Sequence, residues 1–228
     1  MKIETFFGNK LGICTKEELD NLTVEQMEGV DTAVCVGFGI HLPIDYFNAS
    51  FKNKELSNQS LCLNAAFSVL RQLNDSLGGV FSKEGTFAVN AFDYSRGFTY
   101  KIDNKITIES HCGQETYVKY ITKLGNATLY DIYNNTVQHW VCEKGNTHNI
   151  PKDKSVNVHE YYDIVEKEGY VECTVDFFER GVGKTQACGS GAFCVGMHLF
   201  KIYGKEVVVK TENGDKYFVN EYTISVEI

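Results

Sequence analysis

Two short stretches place a cysteine in the same local setting. Thr185 to Phe193 reads TQACGSGAF, and Gln59 to Phe67 reads QSLCLNAAF. Aligned on Cys62 and Cys188, CLNAAFSV and CGSGAFCV share cysteine, alanine, phenylalanine and valine at identical offsets. Each cysteine stands where an apolar run begins, as at the entrance to a buried helix. A thiolate there gains from unpaired backbone N–H groups and the positive end of the helix dipole. That setting can lower a thiol pKa from ~8.5 into roughly the 3.5–7.5 range. The same amides bind a carboxylate, and Gly189, Ser190 and Gly191 would let a ligand approach the main chain closely.

Two such helix ends across a cleft would present one carboxylate to two sets of amides and one α-carbon to two sulfurs. One thiolate would remove the α-proton while the opposite thiol delivers a proton to the other face. This is stereoinversion by two bases, and it needs no cofactor. The amides would also stabilise charge developing on the carboxylate. Taken singly, either cysteine equally fits an ordinary buried position in a core helix.

The elements that must hold these cysteines are mostly strands. Short β-rich runs such as TAVCVGFGI, GTFAVNAF, TVQHWVCE, GYVECTVDFF and EVVVKT dominate, and Glu212-Asn213-Gly214-Asp215 is a hairpin signal. Helices are predicted over Asn64–Asn74, with apolar residues at Ala66, Phe67, Val69, Leu70 and Leu73, and over Gly191–Ile202, apolar nearly all round. A weaker helix is expected from Thr15, with Glu18 completing a capping box. The expected fold is α+β, with two similar domains, each an antiparallel or mixed sheet wrapped around a central helix and the active site in the cleft between them. Residues 1–112 would form the half that carries Cys62, completed by a strand near 219–228, and 113–218 the half that carries Cys188.

Composition narrows the partners. A net charge of -8 over 228 residues argues against nucleic acid or an anionic membrane surface. The N-terminus MKIETFFGNK lacks the apolar core of a secretory signal, and Thr32–Ile44 is too short an apolar run to span a bilayer. A cytoplasmic setting is expected, so most of the eight cysteines should be reduced, with Cys14, Cys35, Cys142 and Cys173 serving as small buried hydrophobes. There is no C-x-x-C, and the six histidines show no ligand-like spacing to a cysteine pair, so no metal is predicted.

Glu179 to Ala192, ERGVGKTQACGSGA, closely resembles the signature around one catalytic cysteine of the diaminopimelate epimerases, PLP-independent two-cysteine amino-acid epimerases. Other segments match in the same order. FFGNKLGI resembles the family's N-terminal Gly-Asn segment and aligns Asn9. NKELSNQSLCLNA resembles the first cysteine region, with Asn53 nine residues before Cys62. GNTH aligns Asn146 and His148 with the family's Gly-Asn-Pro-His, and SVNV aligns Asn157 with its Val-Asn-Val. The resemblance implies Cys62 and Cys188 as the acid/base pair. It implies Leu63, Asn64, Gly189 and Ser190 at the helix ends that hold the α-carboxylate, with Gly191 and His148 in support. Asn9, Asn53, Asn146, Asn157, Glu179 and Arg180 would bind the rest of the substrate; an arginine suits a distal carboxylate and a glutamate a distal ammonium. The resemblance also implies no cofactor and a possible homodimer.

Three departures stand out. The first cysteine is followed by Leu63-Asn64-Ala65 where the family has Gly-Asn-Gly, Glu55 and Leu56 replace an expected aspartate and glycine, and only 11 residues separate Asn146 from Asn157. All three lie near substrate-recognition elements and not at the thiols. The expected function is therefore a cofactor-independent amino-acid epimerase or racemase, with diaminopimelate as the substrate that the resemblance implies. A racemase of another amino acid, such as histidine, and a non-catalytic or carboxylate-dependent protein of the same fold remain alternatives.

Overall fold

The computed structural model describes residues 1–38, 42–56, 58–59, 62–91, 94–109, 118–132, 137–146, 150 and 156–228, with main chain only at 58–59, 90–91, 94–96, 119, 132 and 137. The chain divides into two compact units, Met1–Gln114 with Glu227–Ile228, and Glu115–Val226. Cys112 and the expected boundary at 112/113 lie outside the described residues, as does His148.

In the first unit, β1 (Lys2–Phe6) and β2 (Asn9–Cys14) form an antiparallel hairpin. Its two turn residues, Phe7 and Gly8, both have positive φ, the backbone that a tight hairpin with the natural strand twist requires. After α1 (Lys16–Asp20), β3 (Thr32–Phe38) lies parallel to β2. α1 is short, yet its start is well made: Thr15 accepts from the Glu18 amide and the Glu18 carboxylate accepts from the Thr15 amide. β4 (Ile44–Asn53) is antiparallel to β3, and the two-residue β5 (Asn58–Gln59) pairs with it. The chain then crosses through α2 (Leu63–Leu77) to β6 (Phe81–Ala91), parallel to β4, and finishes with antiparallel β7 (Tyr94–Ile102) and β8 (Lys105–Glu109).

The second unit begins with β9 (Val118–Leu124), antiparallel to β10 (Ala127–Ile132). From β10 onward it repeats the order of the first. β11 (Val137–Glu143) is antiparallel to β10, and β12 (Asn157–Glu166) is parallel to β11. β13 (Tyr170–Glu179) is antiparallel to β12, and the short β14 (Gly183–Thr185) pairs with it. A crossover through α3 (Gly189–Tyr203) leads to β15 (Glu206–Lys210), parallel to β13, then to antiparallel β16 (Lys216–Val219) and β17 (Thr223–Glu227). The sequence of parallel and antiparallel pairings from β10 to β17 is that of β1 to β8.

Each unit encloses its helix. Leu63 to Leu70, the first two turns of α2, are all buried, whereas its C-terminal turns are partly exposed. α3 is buried along most of its length and packs on β15, β16, β11, β12 and β13. The closest approach is at Gly196, where a Cβ would lie 2.3 Å from Cβ of Val219 on β16. α3 ends at Gly204, whose left-handed backbone returns its N–H to the Phe200 carbonyl. Aromatic residues tie the first sheet together: Phe47, Phe87 and Phe98 are cross-strand partners on β4, β6 and β7, with ring centroids 5.1 and 5.0 Å apart.

Cys14, Cys35, Cys142 and Cys173 are buried, as expected of small hydrophobes. Burial pushes the Cys14 thiol up to about 11 and the Cys173 thiol up to about 12, which keeps both protonated. Among the described residues no helix is long and apolar enough to cross a membrane.

Candidate active site

Cys62 is the N-cap residue of α2, and Cys188 is the N-cap residue of α3. Each has extended backbone while its carbonyl accepts the first helical bond, from Ala66 N at 2.9 Å and Ala192 N at 2.8 Å. Both therefore occupy the same place in the same crossover, at the helix end whose first amides have no partner within the helix ladder. Cys188 Sγ accepts from the Gly191 amide at 3.3 Å, as a side-chain cap would. Cys188 is buried and Cys62 is half-buried.

The repeat also relates Asn53 and Glu179. Each is the last residue of the strand that leads toward the crossover, and each stands nine residues before its cysteine. Glu179 accepts from the Thr185 hydroxyl at 2.7 Å, which ties the end of β13 to β14 just ahead of Cys188. In the first unit Asn64, two residues into α2, donates to Asn9 Oδ1 at 3.1 Å. The hairpin turn is thus bound to the first turn of the helix that Cys62 caps. Stacking of Phe6 on Phe67 fixes the same approach.

Among the sequence-predicted asparagines, Asn157 bonds to main chain at both ends of its side chain. Its Nδ2 donates to the Gln138 carbonyl at 2.9 Å, and its Oδ1 accepts from the Arg180 amide at 2.9 Å. Both ends of this buried amide hold main chain, so Asn157 fixes the backbone that presents the exposed Arg180. Asn146 sits in the turn after β11, with its amide N–H on the Glu143 carbonyl. Leu63 and Ala65, which follow Cys62 at the start of α2, are both buried. Gly189 and Gly191 are buried at the start of α3, and Ser190 is half-buried between them.

Folding also assembles a group that spacing along the chain conceals. His139 on β11 and His159 on β12 lie two register positions apart on adjacent parallel strands, so both project from one face. His139 Nδ1 and His159 Nε2 are 2.6 Å apart, with rings stacked at 4.9 Å. Burial holds both imidazoles neutral; His139 is lowered to about 3, helped by the Arg180 charge, and His159 falls well below the usual value, helped by His139. The His159 ring lies against Gly191, where a Cβ would come within 2.7 Å of three ring atoms. The pair therefore sits under the first turn of α3, and the donor atoms of His139, His159 and Cys188 all lie within 4.8 Å of one another. Spacing along the sequence shows no metal-ligand pattern among these residues. The three donors come instead from two strands and a helix cap, and a polar His inside each of the runs TVQHWVCE and VNVHEYY was the available signal.

No protein-family model and no curated protein matches the sequence. Solved structures do match over nearly the whole chain. A PhzF-family phenazine biosynthesis protein from Bacillus anthracis superposes with a TM-score of 0.65 at 11% identity, covering 97% of this chain and 91% of that one. A Pseudomonas aeruginosa protein described as a predicted epimerase gives 0.64 at 11%, covering 97% and 93%. A hydroxyproline epimerase from Agrobacterium vitis with bound trans-4-hydroxy-L-proline gives 0.55 at 9%, covering 97% and 87%. These three are a PhzF-family protein, a predicted epimerase and a hydroxyproline epimerase; none of them is described as a diaminopimelate epimerase, the family that the sequence motifs resemble. The chain has the mixed, sheet-rich α+β fold that these structures share.

Proposed function

We propose that this protein is a cofactor-independent epimerase or racemase that inverts the α-carbon of an amino acid, with Cys62 and Cys188 as its two acid/base groups. One observation carries the reading: in each of two topologically matching crossovers, a cysteine caps the buried helix. A protein that needed only buried thiols would have no reason to put both at helix entrances. The thiolate form of one removes the α-proton, the thiol form of the other supplies one, and the proton states of the two are exchanged at the end of the turnover. The amides that follow each cysteine hold the α-carboxylate and stabilise the carbanionic charge that spreads onto it.

The rest of the substrate falls to residues that the sequence motifs select. Asn157 presents Arg180 through its main chain, and Arg180 suits a distal carboxylate. Glu179, held by Thr185, suits a distal ammonium. A dicarboxylic diamino acid such as diaminopimelate fits that pair of charges. Leu63 and Ala65 favour a second reading with the same chemistry and a different amino acid, such as histidine, because side chains replace both glycines of the first cysteine loop.

The experiment is α-proton exchange in D₂O across a panel of amino acids. Exchange with inversion of one substrate supports the enzyme and names what it acts on. Tight binding of an amino acid by calorimetry with no exchange would replace this reading with a binding protein of the same fold.

A further inference from the structure

We propose that His139, His159 and Cys188 form a binding site for a borderline divalent cation of the Zn²⁺ class, and that its occupation withdraws Cys188 from proton transfer. Metal binding here is independent of the proposed function; only the inhibitory consequence rests on that reading.

The donor set is two imidazoles and one thiol, a combination that suits Zn²⁺ and similar ions and poorly suits Mg²⁺ or Ca²⁺. All three donors are buried and lie within 4.8 Å of one another. A tetrahedral ion with bonds of about 2.0–2.3 Å places its ligand atoms some 3.5 Å apart, so modest side-chain shifts complete the shell. Three protein ligands leave a fourth position for water or a small anion.

The histidine pair supplies a second, separate observation. The rings share one hydrogen bond, and among the described residues the outer nitrogen of each, His139 Nε2 and His159 Nδ1, is buried with no hydrogen-bond partner. Such groups cost about 1–3 kcal/mol each in an interior, so two at one place call for an explanation. They leave both tautomers of the pair accessible. When the donor ring moves its proton from its inner to its outer nitrogen, both inner nitrogens offer a lone pair, 2.6 Å from each other and within 4.8 Å of the Cys188 sulfur. The balance is then simple: Cys188–SH and the dication give a thiolate–metal bond and release one proton, and both histidines remain neutral. Gly191 has no side chain, so the first turn of α3 packs its main chain directly against the His159 ring and keeps the pair close to Cys188.

The test is titration of the reduced, metal-free protein with Co²⁺, a coloured substitute for Zn²⁺. The expected result is a thiolate-to-cobalt absorption band with the strong visible bands of a tetrahedral ion, saturating at one ion per chain and discharged by Zn²⁺. Cys188→Ser abolishes the thiolate band and Cys62→Ser retains it. His139→Gln and His159→Gln each weaken binding by at least about 10–100-fold, the loss seen even for an outer-shell partner. Absence of a thiolate band in wild type, or a band of unchanged affinity in both histidine variants, overturns the site. Should the histidine variants not fold, X-ray absorption on Zn²⁺-loaded wild type decides: one sulfur with two imidazole nitrogens supports it, and any other protein shell refutes it. Zn²⁺ inhibition of α-proton exchange is read separately. A metal-free protein that exchanges no amino acid would sink the function and leave the cobalt result standing.

Discussion

His139 and His159, on adjacent strands, meet nitrogen to nitrogen at 2.6 Å with both rings almost wholly buried. The pH dependence of stability follows from this contact. Both imidazoles have folded-state pKa values below the unfolded value of ~6.5. His198, between the Tyr130 and Tyr161 hydroxyls, is also lowered by burial, to about 4. Below pH ~6.5 the unfolded chain therefore binds protons that the folded chain refuses. Stability is fully present above that pH and falls as pH drops, at up to about 1.4 kcal/mol per pH unit for each buried histidine. The His198 contribution levels off near pH 4 and that of His139 near pH 3. Urea midpoints between pH 4 and 8 check this. A His139→Gln variant should show a shallower acid limb, and an acid limb as steep as wild type would count against the assignment.

Gly196 meets Val219 with no room for a methyl group. A Cβ there would contact Val219 Cβ and both Cγ atoms at 2.3–2.7 Å, and a β-branched carbon cannot swing aside as a flexible chain end can. Alanine would gain up to about 1 kcal/mol of helix propensity. Overpacking should outweigh that gain, at about 1–3 kcal/mol. Gly196→Ala is expected to lower Tm by a few degrees. An unchanged or higher Tm would show that α3 and β16 are less closely packed than described.

Asn157 holds two main-chain groups, so its replacement separates a positioning role from direct contact. Asn157→Ala leaves the Gln138 carbonyl and the Arg180 amide without their partner, at about 1–3 kcal/mol for each group that stays buried. Asn157→Asp retains the acceptor for Arg180. If Asn157 works by presenting Arg180, the aspartate variant keeps KM closer to wild type than alanine does. Equal rises in KM for both variants would mean that the side-chain amide itself meets the substrate.

Much of the framework was legible because it rests on local signals. Both core helices begin at the cysteines, as the apolar runs implied, although each extends further, to Leu63–Leu77 and Gly189–Tyr203. The Thr15–Glu18 capping box and the turn before Asp215 formed because side-chain geometry over a few residues specifies them. β1 and β2 were harder to read, since Phe7 occupies a positive-φ turn position where asparagine or glycine is usual. β12 was obscured by His159 and Glu160, polar residues buried within it. Parallel pairings such as β11 with β12 leave no mark in local sequence, and the His139–His159–Cys188 group exists only through them.

The two-base assignment is tested most directly by following α-proton exchange in D₂O with a substrate drawn from the panel, in wild type and in Cys62→Ser and Cys188→Ser. Positioned acid–base groups contribute typically 10²–10⁴-fold. The account predicts that each single variant loses inversion by at least ~10²-fold while its fold, read by circular dichroism and Tm, is retained. Inversion at the wild-type rate in both single variants would contradict it.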